Sequence, residues 1–191
     1  MKNTHIRTLI NEKRSSLIEE ITLGLIASIV LALCAKLRFY LPIFPVPFVM
    51  QNTLLLFFAA RLGRKGAVAM VLSFLGQGAI GLPIFSGGAV GLAGFLGPTG
   101  GYLVGYAVAA YVVAALQEKR MAYTSKGIFF DMAVGGFVIY LFGALYLATF
   151  VGSLSKAILL GVVPFILTDL LKAAILTTLA SLMVRFHSPT Q

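Results

Sequence analysis

Long apolar runs alternate with short basic stretches and with segments rich in proline or glycine. An apolar run near 20 residues is typical of a helix that crosses the hydrocarbon core of a membrane. The pattern predicts an all-α integral membrane protein, a single membrane domain over residues 1–191. We expect six transmembrane helices with these spans: 17–37, 48–61, 66–82, 100–116, 127–151 and 164–184.

Composition supports the membrane assignment. Of the 191 residues 59% are hydrophobic and 11% charged, whereas soluble domains are about 45–50% apolar and about 25% charged. The single cysteine, Cys34, cannot form an internal disulfide, and His5 and His187 lack metal-ligand spacing. No signal peptide is expected, because the first apolar run, from about Leu17, is too long for one. We expect no metal and no cofactor.

The distribution of basic residues predicts the orientation. The net charge of +9 comes from cations in short stretches beside apolar spans, so membrane topology explains it better than nucleic-acid binding does. The N-terminal tail, the loops after the second and fourth spans and the C-terminus hold eleven Lys and Arg residues, against three on the opposite side: Lys36, Arg38 and Lys156. This asymmetry predicts that both termini are cytoplasmic and that the protein lies in the cell membrane.

Two opposite charges interrupt the last span. Asp169 and Lys172 are three residues apart, so on a helix that begins near Pro164 they share a face. Ionisable groups at membrane depth cost about 2.5–3.5 kcal/mol each on insertion scales and usually face a cavity, a partner or a substrate. The alternative is a salt bridge that only fixes helix packing.

Other features concern helix contacts and the outer face. Gly24, Ser28 and Ala32 form a stripe of small residues on the first span, suited to contact with another helix, either in a partner protein or in this chain. Asp131 is expected at a helix start near the membrane interface. The proline-rich segment 36–47 and the uncharged segment 81–102, with eight glycines, are expected to cover or line a cavity.

Several motifs together resemble the BioY family, the biotin-specific substrate-binding components of energy-coupling-factor (ECF) transporters. They span residues 42–175, nearly the whole chain, in the order of the family. The matching pieces are Val46-Pro47-Phe48 followed by Gln51, Leu62-Gly63-Arg64-Lys65-Gly66, residues 78–85, residues 97–103, and Pro164-Phe165-Ile166 with Asp169 and Lys172.

The resemblance implies six membrane helices, capture of biotin from outside, and delivery through a coupling transmembrane protein driven by two ABC-type ATPases. It implies that Asp169 and Lys172 contact the ureido group of biotin, and that the first-helix stripe contacts the coupling protein. The full predicted substrate site is Asp169, Lys172, Gln51, Gln77, Phe85, Gly87, Thr99, Gly101 and Tyr102.

The chemistry of biotin is compatible with these residues. A carboxylate accepts from the ureido N–H groups, an ammonium donates to its carbonyl, and residues such as Phe85 and Tyr102 wall the rings. Residues 66–118 contain neither Lys nor Arg. We therefore expect Lys36 or Arg38, backbone N–H groups of the glycine-rich segment, or water to meet the biotin carboxylate.

Enzymatic activity is not expected. The chain lacks a phosphate-binding GxxxxGK[ST] motif, so ATP is used only by partner subunits. No nucleophile and base share one membrane face. Two alternatives stay open at this point: a substrate-binding component for another vitamin, and a membrane enzyme or structural protein in which Asp169 and Lys172 are a packing pair.

Overall fold

The computed structural model describes residues 2–35, 38–39, 48–85, 90–120 and 124–187. Seven helices and one pair of two-residue strands make up the described secondary structure. In chain order the elements are α1 (Lys2–Cys34), β1 (Arg38–Phe39), β2 (Phe48–Val49), α2 (Gln51–Ala79), α3 (Ala93–Leu96), α4 (Gly100–Glu118), α5 (Ser125–Val151), α6 (Leu154–Gly161) and α7 (Val163–His187).

The all-α membrane class is confirmed. Four described helical stretches are long and apolar enough to cross a membrane: Leu17–Cys34, Gly100–Glu118, Ser125–Val151 and Leu154–Ser181. The two remaining predicted spans, 48–61 and 66–82, correspond largely to α2. This helix is interrupted at Gly63, which has φ 69° and ψ 169°, and it carries Arg61, Arg64 and Lys65 around the break. A left-handed φ is accessible to glycine at little cost, so the chain bends there.

Helix α1 begins at Lys2 and therefore includes residues that precede the predicted span from residue 17. Residues 2–16 contain neither Gly nor Pro to stop a helix. The ends of the proline-rich connection pair as antiparallel strands, with Arg38 opposite Val49 and Phe39 opposite Phe48. This pairing holds the start of α2 close to the end of α1.

Helices α1, α2, α4 and α5 pack in sequence, α1 against α2, α2 against α4 and α4 against α5, while α7 lies against α5, α6 and α2. Small residues allow these close approaches. At Gly101 on α4, an added Cβ would lie 2.3 Å from the Cβ of Tyr146 and 2.5 Å from the carbonyl oxygen of Phe142 on α5. Gly101 therefore serves the α4–α5 contact.

The stripe formed by Gly24, Ser28 and Ala32 packs inside the chain, which is one of the two helix contacts expected for it. Ser28 is fully buried. A Cβ added at Gly24 would lie 2.4 Å from the carbonyl oxygen of Gly66 on α2. Ala32 packs against the same hydrophobic core. A helix whose backbone is already this close to α2 offers no room on that face for a second helix.

Asp131 lies in the second turn of α5 and is fully buried. Its carboxylate accepts hydrogen bonds from Arg120 Nε at 2.8 Å, Arg120 Nη2 at 2.6 Å and Gln117 Nε2 at 2.6 Å. The hydrogen bond to Asp131 raises the pKa of the Arg120 guanidinium. This cluster ties the end of α4 to the start of α5, and a buried carboxylate needs such a bidentate partner.

Candidate functional site

Helix α7 presents its two charged residues on one face. Helix α6 ends at Gly161, α7 begins at Val163, and Pro164 occupies its first turn, where a missing N–H costs nothing. Lys172 Nζ and the Asp169 carboxylate form an ion pair at the i, i+3 spacing, with side-chain exposures of 21% and 18%. The prediction that the two side chains share a face is confirmed. Both side chains are therefore mostly buried.

The Asp169 carboxylate is also held by two neighbouring helices. Tyr140 Oη on α5 donates to Oδ2 at 2.7 Å, and Asn52 Nδ2 on α2 donates to the same oxygen at 3.3 Å. The Asn52 side-chain oxygen accepts from the Tyr106 hydroxyl on α4. Three helices thus meet at this carboxylate and α4 reaches it through Asn52, so its position is fixed.

Lys172 has a second fixed contact, because its Nζ donates to the carbonyl oxygen of Val49 at 2.9 Å. Val49 belongs to β2, so the short strand pair places a backbone acceptor over the start of α2. The ammonium is therefore held between Asp169 and the end of the proline-rich connection.

Neither charged group has used all of its hydrogen-bonding capacity among the described residues. A carboxylate has about four acceptor sites and an ammonium three donors. Asp169 accepts from three described donors, on Lys172, Tyr140 and Asn52. Lys172 donates to two described acceptors, on Asp169 and Val49. The pair can offer one further acceptor and one further donor side by side, to a ligand that has both groups.

Two cavities adjoin Asp169. The larger, of about 220 Å³, lies between α2, α5 and α7. It is lined mainly by apolar residues, and its polar lining residues are Asn52, Thr53, Tyr140 and Asp169. The smaller, of about 20 Å³, is lined by residues near the first turns of α2, α4 and α7, including Val49, Thr99, Tyr102, Gly161 and Phe165. Asn52, Tyr140 and Asp169 line both cavities and so separate them.

Tyr102 and Thr99 line the smaller cavity, near the start of α7. The Tyr102 hydroxyl donates to the carbonyl oxygen of Gly161 at 2.8 Å and ties α4 to the end of α6. Gly161 and Gly143 leave room for this ring, since a Cβ on either would lie 2.3 Å from a Tyr102 atom. Of the predicted site residues, Asp169, Thr99 and Tyr102 line this smaller cavity, and Lys172 contacts two of its lining residues, Asp169 and Val49.

Other predicted site residues lie elsewhere. Gln77 donates to Ser28 Oγ at 2.8 Å and to Ser73 Oγ at 3.1 Å, within the α1–α2 contact. Phe85 is buried in the core, edge-on to Phe74 and Phe95 with ring centroids 6.0 and 5.1 Å away. Neither residue lines the two described cavities beside Asp169.

Four further predicted residues cannot be placed beside a ligand. Gln51 is fully buried, and neither its amide nitrogen nor its amide oxygen has a partner among the described residues. Gly87 and Lys36 lie outside the described residues, as does the side chain of Arg38.

Sequence reasoning missed Tyr140, Tyr106 and the Val49 carbonyl. A tyrosine inside an apolar span needs a partner for its hydroxyl, so Tyr140 and Tyr106 carried a signal that such a partner exists. The Val49 carbonyl carried no signal, because its role depends on the pairing of β1 with β2.

Fold and site together define a helical membrane protein with a cavity for a small molecule beside a partly buried ion pair. A model of the BioY family matches residues 4–188. The chain therefore belongs to the BioY family.

Individual relatives agree with this assignment. The biotin transporter BioY of Thermotoga maritima is 35% identical over 143 residues, which cover 73% of this chain and 82% of that protein. The biotin transporter BioY of Rhizobium etli is 36% identical over 160 residues, covering 80% and 85% of the two chains. The crystal structure of the S-component for biotin from an ECF-type ABC transporter matches with a TM-score of 0.74 and 26% identity, over 93% of this chain and 94% of that one.

Proposed function

We propose that this protein captures biotin at the outer face of the cell membrane and delivers it inward as the substrate-binding component of an ECF-type transporter. The observation that carries the proposal is the adjacent unused acceptor on Asp169 and unused donor on Lys172. The family membership and the biotin transporters among the relatives support the choice of ligand. The protein acts as a transport component rather than an enzyme.

The ureido group of biotin matches the two open positions. One ureido N–H donates to the Asp169 carboxylate, and the ureido carbonyl accepts from Lys172. Both protein groups are charged, so these hydrogen bonds are stronger than neutral ones. Thr99 and Tyr102 border the same region. We assign the biotin carboxylate to Lys36 or Arg38, to backbone N–H groups of the glycine-rich segment, or to water.

The partners follow from the same proposal. A coupling transmembrane protein and ABC-type ATPases supply the energy, and ATP is used only by the ATPase subunits. The S-component structure that this chain resembles comes from an ECF-type ABC transporter, which supports this assembly.

Direct binding tests the ligand. Purified protein is expected to bind biotin with a Kd of about 1 µM or tighter, and biotin is expected to raise the melting temperature because a ligand stabilises the state that binds it. Titration calorimetry and a thermal-shift series with biotin, thiamine and riboflavin measure both. A shift with thiamine or riboflavin and none with biotin would contradict the proposal.

For topology we propose six transmembrane helices and both termini in the cytoplasm. Helix α2 contributes two of the six, one on each side of the break at Gly63. The positive-inside rule supports this orientation. In a Cys34→Ala background, Lys156→Cys is expected to react with a membrane-impermeant maleimide on intact cells, because Lys156 is exposed on α6, the short helix that follows α5. Lys126→Cys, exposed at the start of α5, is expected to react only after lysis. The reverse pattern would invert the orientation.

A further inference from the structure

A third cavity, of about 650 Å³, lies between α1, the second half of α2 and α4. We call it the α1–α2–α4 groove. None of the described residues that line it lines either cavity beside Asp169. Its volume is within the range of about 300–1,000 Å³ that is usual for small-molecule sites. The groove is therefore a separate candidate binding site.

One end of the groove is charged, and two of its four charges neutralise each other. Arg64 Nε forms an ion pair with Glu118, and the Arg64 backbone N–H donates to the other oxygen of that carboxylate at 2.8 Å. Glu20 and Lys65 also line this end, and neither has an ion-pair partner among the described residues. The groove thus offers one carboxylate and one ammonium that are available to a ligand.

The Glu20 carboxylate is placed against the break in α2. A Cβ added at Gly63 would lie 3.5 Å from Glu20 Oε2, and a Cβ added at Gly66 would lie 2.8 Å from the Glu20 carbonyl oxygen. Lys65 lies between these two glycines in the chain. A ligand with a single charge would be attracted by one of the two residues and repelled by the other. A zwitterion matches both.

The other end of the groove is apolar and reaches into the depth of the membrane-spanning helices. Val68 lies four residues after Arg64, and Tyr111 lies seven residues before Glu118, which places them about 6 and 10 Å along their helices from the charged end. Ile21 and Tyr111 line the groove and are 38% and 49% exposed. Exposed apolar surface beside a polar rim is typical of a contact with lipid.

We propose that the α1–α2–α4 groove binds a phospholipid with a zwitterionic headgroup that carries a primary ammonium, as in phosphatidylethanolamine. The lipid phosphate accepts from Lys65, the headgroup ammonium donates to Glu20, and an acyl chain lies along Val68 and Tyr111. With the topology proposed above, this lipid belongs to the cytoplasmic leaflet. The site is independent of the proposed biotin site.

A comparison of headgroups tests the chemistry of the ligand. Native mass spectrometry of the purified full chain is run with three phospholipids that share the same acyl chains and carry phosphoethanolamine, phosphocholine or phosphoglycerol. The phosphoethanolamine lipid is expected to have a Kd at least about fivefold lower than the other two. Phosphocholine has no N–H to donate to Glu20, and phosphoglycerol has no cation. Equal affinities, or tightest binding of the phosphoglycerol lipid, would overturn the proposal.

Two variants test the assigned residues. Glu20→Gln is expected to raise the Kd for the phosphoethanolamine lipid about fivefold, through loss of a charged acceptor, and not to raise the Kd for the phosphoglycerol lipid. Lys65→Gln is expected to weaken all three lipids, because each has the phosphate. The matched controls are Glu19→Gln and Lys119→Gln, since both residues are exposed and lie outside the groove. Their Kd values are expected to stay within about twofold of the original chain.

Samples are compared at matched melting temperatures in detergent without lipid. An unchanged Kd for the phosphoethanolamine lipid in both Glu20→Gln and Lys65→Gln would overturn the site. Variants that bind lipid normally but no longer assemble with the coupling protein would make the groove a protein contact and overturn the lipid assignment. The measurement needs no biotin, so a failure of the proposed function and a failure of this inference are distinguishable.

Discussion

Asp169→Asn is expected to abolish measurable biotin binding and to lower the thermal stability of the protein. Asparagine keeps the shape of the side chain but removes the charge that holds Lys172, and it replaces one carboxylate oxygen, an acceptor, by an NH2 donor. Removing one member of a buried ion pair costs about 3–5 kcal/mol. Each side chain here is about one-fifth exposed, so we expect the lower end of this range. Thermal unfolding and titration calorimetry measure the two effects separately.

The double variant Asp169→Asn/Lys172→Met separates a binding role from a packing role. With both charges removed, no uncompensated ion remains in the membrane, and much of the lost stability is expected to return. Biotin binding is not expected to return, because neither the charged acceptor nor the donor is restored. A double variant that binds biotin as well as the original chain would mean that the pair only fixes helix packing.

Gly101→Ala is expected to destabilise the protein by about 1–3 kcal/mol, the usual cost of forcing extra volume into a packed contact. The added Cβ would lie 2.5 Å from the Phe142 carbonyl oxygen. This oxygen is part of the α5 backbone and cannot rotate away, so α4 and α5 must separate. Thermal unfolding in the same detergent as the original chain measures the loss.

The matched control changes the same residue type where space is open. Gly76→Ala is expected to stabilise the protein by about 0.5–1 kcal/mol, because alanine loses less backbone freedom in a helix than glycine does. A Cβ at Gly76 meets no described atom of another part of the chain within 4 Å. Equal melting temperatures for Gly101→Ala and Gly76→Ala would show that the α4–α5 contact tolerates a wider spacing.

The helices themselves were largely predictable. The predicted spans 100–116, 127–151 and 164–184 agree with α4 at Gly100–Glu118, α5 at Ser125–Val151 and α7 at Val163–His187 within three residues at each end. Hydropathy and the positions of Gly and Pro act over a few residues, so a single sequence reports them. The shared face of Asp169 and Lys172 was predictable for the same reason.

The partners of the polar residues were harder to predict. Asn52 and Asp169 are 117 residues apart in the chain, and no local pattern indicates that their helices meet. Gln77 is an amide inside an apolar span, as a ligand-binding residue would be, yet the α1–α2 contact places it against Ser28. Asp131 had the position of an interfacial acid, yet Arg120 and Gln117 enclose it.

The sequence alone therefore determined a helical membrane protein with one acidic and one basic residue facing the same way inside the last span, because helical period and hydrophobicity are local properties. The family was indicated by its motifs. The tertiary structure decided which side chains surround that pair, where the space beside it lies, and that Gly24 and Gly101 serve contacts within the chain. Those features depend on which helices pack together, and helix packing is set by shape complementarity over the whole bundle rather than by any one segment.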